Sequence, residues 1–221
     1  MDNIVLIGGG TQVQNVIDII EKEDKYKIVG IIDSVQRIGR KIFGYPVIGR
    51  QENIHKLSQE FNYMGGIITI GDNGTRKIIR EQVDQLFPKL EWVNAIHPSV
   101  IIGKNVFMGS GITIMAGVII NSNAELGEFS NYFTGAQIEH DCKIGDYASI
   151  SAGTVLGGHV KVGELSAITL NCTIIDRLTI GDNTVVGSAS LVTKDIPDNV
   201  LAYGNPAKII KTRGIREKFL K

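Results

Sequence analysis

The stretch Ile138-Glu139-His140-Asp141-Cys142 sets an imidazole between two carboxylates, with a thiol two residues on. Three chemistries are open to such a string. It is a metal ligand set, a cysteine nucleophile with its base, or a general base oriented by a neighbouring acid. The local spacing does not separate them. The element that carries the residues does.

That element is a repeat. Stepping by six from Ile102 meets Met108, Ile114, Ile120, Leu126, Tyr132, Ile138, Ile144, Ile150, Leu156, Val162, Ile168, Ile174, Ile180, Val186 and Val192. With 43% hydrophobic residues, an unbroken run of this length has odds on the order of one in a million in a fixed frame. A second track two residues earlier is mostly small or β-branched, and includes Ala124, Ala136, Cys142, Ala148, Thr154 and Cys172. Gly follows the large aliphatic at 103, 109, 127, 145, 157, 163, 181 and 187. The expected object is a parallel β-helix of triangular coils, each coil three hexapeptides long, about five coils in all. Both tracks point inward because strand side chains alternate. Gly, Asn and Asp near the corners are expected to serve turns with unusual backbone angles.

On this frame Cys142 is an inward packing residue, and Cys172 faces a different side, so no metal site is expected from the cysteines. His140 stands two places after the inward Ile138, at a corner, pointing out. Its neighbours one coil away are Ser122 and Gly158, both small enough to leave the imidazole open. His159 lies one coil above Asp141, where it could share the carboxylate or act as an alternative base. A general base beside an acid remains, with Asp141 as the orienting carboxylate and Glu139 as the spare.

Residues 1–94 read differently. NIVLIGGG is a strand running into a glycine turn, VQNVIDIIEKE is helix-like, KIVGIID is a second strand ending at Asp33, and GGIITIGDN is a third, followed by a helix from about Thr75 to Leu86. A small parallel Rossmann-like sheet is expected, with strand ends facing a ligand. The glycine turn fails as a dinucleotide fingerprint, because Val13 stands where the third glycine belongs. Gly71, Asp72 and Asn73 face the same crevice on the strand-end argument, although Asp72 serves equally as a helix cap. The domains are therefore 1–94, 95–195 and a tail, 196–221.

The 23 basic and 23 acidic residues balance, which argues against nucleic acid as a partner. No apolar run reaches membrane-spanning length, and two cysteines make no disulfide framework. A soluble cytoplasmic protein is expected.

Taken in order, the GGG turn, "IID", "FGYPVIG", "IGDNGTRKII", "HPS", the hexapeptide prism and "GNPAKII" resemble the hexapeptide-repeat acetyltransferases that act on sialic acids or nucleotide-linked amino-sugars. The resemblance implies a left-handed prism and a homotrimer with active sites between subunits. It also implies acetyl-CoA as donor, and in the front domain the nucleotide of a UDP-, dTDP- or GDP-4-amino-4,6-dideoxy-sugar. In such proteins the base histidine is followed directly by an acid, which matches His140 and Asp141. Ser149 replaces a frequent second histidine near the donor. Leu170, Ser188, Pro206, Ala207 and Lys208 are implied for the cofactor, and Gly10, Thr11, Gln12, Asp33, Ser34, Gly71, Asp72 and Asn73 for the sugar-nucleotide. N-acetylation of the 4-amino-sugar by direct attack is the leading expectation. O-acetylation of a sialic-acid-like sugar is the alternative, and a non-catalytic trimeric sugar-nucleotide-binding protein the remote one.

Overall fold

The computed structural model describes residues 1–214, 217 and 218. The chain opens with β1 (Asp2–Ile7), α1 (Val13–Glu23) and β2 (Tyr26–Ile32). A short hairpin, β3 (Lys41–Ile42) and β4 (Tyr45–Gly49), leads to α2 (Ile54–Phe61), β5 (Gly65–Ile68), α3 (Asn73–Leu86) and β6 (Glu91–Trp92). The sheet order is β3-β4-β2-β1-β5-β6, parallel except for the β3–β4 hairpin. Strand β1 is apolar throughout Ile4–Ile7 because both faces of the sheet are covered. In α1, Val13, Val16, Ile17, Ile19 and Ile20 follow the helical period and are all buried. The hairpin, α2 and β6 were not expected from the sequence. Each is short, and α2 carries its apolar side on few residues, Ile54 and Leu57 among them.

The prism begins at Ala95–Ile96 and its last coil strand is Leu191–Val192. Its two-residue strands stack in parallel at a register of 18, as in Thr113↔Asn131, Ile119↔Gln137 and Glu125↔Lys143. Three faces result. Strands from Ala95–Ile96 to Val185–Val186 make a docking face, those from Ile101–Ile102 to Leu191–Val192 an apolar face, and those from Phe107–Met108 to Thr179–Ile180 a charged face. Outward on the apolar face are Ile101, Ile119, Val155 and Leu191, interrupted by Gln137 and Thr173; outward on the charged face are Glu125, Lys143 and Lys161, between Phe107 and Thr179. Inside, the six-step residues from Ile114 to Val192 are buried, whereas Ile102 is 41% exposed at the open first coil. The small track is buried too, and its hydroxyls bond main-chain carbonyls, as Ser130 does to Gly127 and Thr154 to Thr169.

The glycines after the inward aliphatics have a different cause from the one expected. None of the eight has a positive φ. A Cβ at Gly145 would lie 2.6 Å from the backbone nitrogen of Glu164 in the next coil, and one at Gly127 2.5 Å from that of Asp146. Close stacking of coils, rather than turn angle, excludes a side chain there. Left-handed backbone falls instead on other corner columns. One runs Asn105, Asn123, Asp141, His159, Arg177; another runs Phe129, Tyr147, Leu165, Asn183.

Residues outside the prism's own interior complete the two cores of the front domain. One side of the front sheet packs with Ala95 and Met115 of the prism, the other with Phe129 and Tyr147. Burial of these bulky corner residues offsets their unfavourable left-handed backbone. The tail forms a hairpin, Val200–Gly204 with Ala207–Thr212, whose first strand pairs in parallel with Val185–Val186. It extends the docking face rather than simply turning off the prism. No helix among the described residues is long and apolar enough to cross a membrane.

Candidate functional site

His140 sits at the corner between the apolar and charged faces, with its side chain 54% exposed. Asp141, the next residue, has φ 59°, and this left-handed step turns its carboxylate back toward the imidazole. His140 Nδ1 lies 2.7 Å from Asp141 Oδ2. Asn123, one coil below, donates to the other carboxylate oxygen at 3.3 Å. The hydrogen bond from His140, joined by that from Asn123, holds the Asp141 carboxyl below its ordinary range. With Asp141 an anion, Nδ1 carries the proton and Nε2 keeps the basic lone pair. Glu139 takes no part, since it accepts from Asn121 instead. The imidazole leans over Gly158, where an added Cβ would fall 2.7 Å from Nε2. The absence of a side chain at Gly158 gives the imidazole its seat, and the His140 side chain stays half exposed.

His159 stands directly above Asp141, with Nε2 3.9 Å from the same Oδ2 and its ring edge-on to that of His140 at 5.1 Å. Cys142 and Cys172 are buried, and burial pushes the Cys142 thiol up to about 11. Neither is a nucleophile at neutral pH.

A second feature lies at the corner between the docking and apolar faces. A crevice of 570 Å³ is lined by Thr11, Gln12, Asn15, Gly71 and Asp72 from the front domain and by Phe133, Ser151, Ala152, Thr169, Leu170 and Ser188 from the prism. Residues expected to touch two different ligands therefore share one cavity. Ala152 was within reach of the sequence, being one coil below Leu170. At this corner Gly117, Gly135 and Gly153 adopt φ near +70°, and the same column continues through Asn171 and Ala189, with the Asn171 side chain lying over Gly153.

Several expectations are corrected. Ser149 is fully buried, and its Oγ donates to Asn73 Oδ1 at 2.6 Å. Asn73 in turn donates to the carbonyls of Leu165 and Ser166. Both residues fasten the front domain to the prism, with Ser149 fully enclosed and Asn73 2% exposed. Asp33 is spent on its own loop. Its carboxylate accepts from Gly9, Val35 and Gln36 backbone N–H groups. Burial pushes its pKa up, but these donors and Arg50 outweigh it and hold it below the usual carboxylate range. Asp33 and Ser34 line a separate hollow with Gln51, away from the crevice. Asp72 caps α3, accepting from Thr75 N at 2.9 Å, and still edges the crevice. Of the glycine turn, Gly8 needs its φ of 111° and Gly9 abuts Gln36 and Asp33, while Gly10 is open on all sides. Pro206 lies in the turn of the tail hairpin, Ala207 and Lys208 begin its second strand, and none of the three lines the crevice.

The residue that sequence reasoning missed is Arg76. It is completely buried and donates to the carbonyls of Ile70, Gly71, Phe129 and Tyr147. With the Asn131 amide oriented to satisfy its neighbours, its oxygen accepts from both Arg76 Nη1 and Gln12 Nε2. A single polar residue in an amphipathic helix carries no sequence signal that it will be enclosed.

Comparison with known proteins agrees with this architecture. Residues 3–83 match the PglD N-terminal domain family. The structure superposes on the GDP-perosamine N-acetyltransferase of Caulobacter crescentus, a histidine-to-alanine variant in complex with CoA and GDP-perosamine. The TM-score is 0.89 and the identity 32%, over 96% of this chain and 98% of that one. The acetyltransferase domain of PglB from Neisseria gonorrhoeae, in complex with acetyl coenzyme A, gives 0.85 at 26% identity, over 94% and 98%. Galactoside O-acetyltransferase of Escherichia coli (strain K12) is 54% identical over 41 residues, 19% of this chain. The matching stretch spans only 20% of that curated relative. A front α/β domain of the PglD type on a left-handed prism, matched end to end at this identity, places the chain in the hexapeptide-repeat family of sugar acetyltransferases.

Proposed function

We propose that the protein moves an acetyl group from acetyl-CoA to the amine of a nucleotide-linked 4-amino-4,6-dideoxy-sugar. His140 is the general base and Asp141 its orienting acid. The observation that carries the reading is the 2.7 Å contact between His140 Nδ1 and Asp141 Oδ2, which leaves Nε2 free to accept a proton. Loss of a proton from the attacking amine is the step such a base assists, worth roughly 10²–10⁴ in rate. Acetyl-CoA supplies the activated acyl group when bound. The small and hydroxyl side chains of Ser151, Ala152, Thr169 and Ser188, with Leu170 beside them, suit a slender pantetheine-like chain. Thr11, Gln12 and Gly71 offer polar and main-chain groups to the sugar-nucleotide on the opposite wall.

His140 and the crevice occupy different corners of one prism, separated by the apolar face. A trimer brings the His140 corner of one copy to the crevice of the next. The outward Ile101, Ile119, Val155 and Leu191 support burial of that face, and Ile101 is 61% exposed in the single chain. The relatives in complex with CoA, acetyl-CoA and GDP-perosamine support the substrate class. O-acetylation of a sugar is the second reading, favoured by the short match to a galactoside O-acetyltransferase.

The test is CoA release from acetyl-CoA against UDP-, dTDP- and GDP-4-amino-4,6-dideoxy-sugars and free sialic acid, with wild type and His140→Ala. Turnover of one amino-sugar nucleotide, lost in the variant, is the expected result. Turnover of sialic acid alone would replace it with the O-acetyl reading, and full activity in His140→Ala would remove His140 as base.

A further inference from the structure

The apolar–charged corner holds more than a base and its acid. His140, Asp141 and His159 each offer one ligand atom, and the three atoms lie within 4.8 Å of one another. The measured separations are 2.7 Å from His140 Nδ1 to Asp141 Oδ2 and 3.9 Å from His159 Nε2 to the same oxygen. Metal–ligand bonds of about 2.1 Å in a tetrahedron require ligand atoms about 3.4 Å apart, so small side-chain rotations suffice. All three side chains are partly exposed, at 54%, 37% and 42%, so a hydrated ion has access and a fourth position is left for water. The backbone holds the pair of rings in place: His159 N–H donates to the His140 carbonyl at 2.9 Å, and Asp141 and His159 occupy the same left-handed corner position one coil apart. Two imidazoles and a carboxylate suit zinc, nickel or copper rather than magnesium or calcium.

We propose that His140, Asp141 and His159 form an inhibitory site for a divalent transition metal, with zinc as its probe. The inhibition rests on His140 being the base; the metal site itself does not. Coordination disables the base by either nitrogen. A metal on Nε2 occupies the lone pair that would accept the substrate's proton. A metal on Nδ1 displaces the proton there and forces it onto Nε2, with the same result. Asp141 is drawn into the coordination sphere at the same time, so the imidazole loses its orienting partner. His159 supplies the second nitrogen that converts a His–Asp pair into a chelate.

The test is calorimetric titration of the full-length protein with zinc, alongside turnover, for wild type, His140→Ala and His159→Asn. Asparagine is chosen because it tolerates the φ of 60° at position 159. Expected are one zinc per chain in wild type and affinity at least tenfold weaker in each variant. Wild-type turnover stops on zinc addition and returns with a chelator. His159→Asn, scored against its own metal-free rate, resists zinc tenfold better. Absence of binding at millimolar zinc, or equal affinity in all three proteins, overturns the site. Zinc binding that needs both histidines but leaves turnover untouched keeps the site and overturns His140 as the base.

Discussion

Arg76, in α3 of the front domain, donates from Nε to the carbonyl oxygen of Phe129 in the prism at 2.6 Å. Its remaining nitrogens reach Tyr147 on the prism and Ile70 and Gly71 at the end of the front sheet. Among the described residues no carboxylate bonds the guanidinium, and burial lowers its pKa to about 9. It stays charged at neutral pH and is held by neutral oxygens alone. One side chain thus ties two elements that border the crevice to the face they dock on.

Arg76→Met should therefore loosen the domain junction. The buried carbonyls of Phe129 and Tyr147 and the part-buried ones of Ile70 and Gly71 lose their donor at once, and unpaired buried polar groups cost about 1–3 kcal/mol each before relaxation. A loss of about 3–5 kcal/mol is expected in denaturant unfolding. A midpoint close to wild type would show that Asn73, Ser149 and the shared apolar cores suffice to hold the domains.

Asp141→Asn should keep the fold and lower kcat by roughly 10²- to 10⁴-fold, because an amide no longer fixes the productive tautomer of His140. The pH dependence follows from the sign of the Asp141 shift. A carboxyl whose pKa is depressed in the folded protein remains ionised at neutral pH. Its orienting effect is lost only as pH falls through that lowered value. An acidic limb of the pH–rate profile above pH 5 should accordingly come from another group, and should remain, at lower amplitude, in Asp141→Asn.

Gly158→Ala tests the seat of the imidazole. The new Cβ would stand 2.7 Å from His140 Nε2, so the ring must swing away. A displacement near 1 Å costs about 10²-fold in rate when the group is a positioned base. The expected signature is a fall in kcat with unchanged KM for both substrates. An unaltered kcat would show that the ring works from a different rotamer.

Gly145→Ala probes coil stacking without touching the site. A Cβ there meets the Glu164 nitrogen and Gly163 carbonyl carbon at 2.6 and 2.7 Å, which are backbone atoms unable to step aside. Destabilisation by about 1–3 kcal/mol is expected, read as a lower thermal midpoint. Gly10→Ala, with open space around its Cβ, is the neutral control.

The prism was legible because its period is a direct readout of its geometry. Each hexapeptide places one large and one small residue inward, so sixteen repeats state the same fact sixteen times. Helix α1 was legible for the same reason. The β3–β4 hairpin, α2 and β6 were not, because elements this short repeat no pattern. His140 and Asp141 were legible as neighbours, and coil arithmetic found that His159 stacks on Asp141. The same arithmetic could not see that Ser149, assigned to the donor, lies beneath Asn73, since nothing in either segment announces the other.

The sequence by itself determined the prism, its inward and outward residues, the corner address of His140 and the inert setting of both cysteines. These follow from periodicity and nearest neighbours along the chain. Only the tertiary structure decided where the front domain docks. Docking turned Ser149 and Asn73 into fasteners, enclosed Arg76 and put Thr11, Gln12 and Leu170 around one crevice. The physical reason is that such contacts join residues some 50 to 160 positions apart, whose meeting depends on the packing of two whole surfaces and leaves no periodic trace in either.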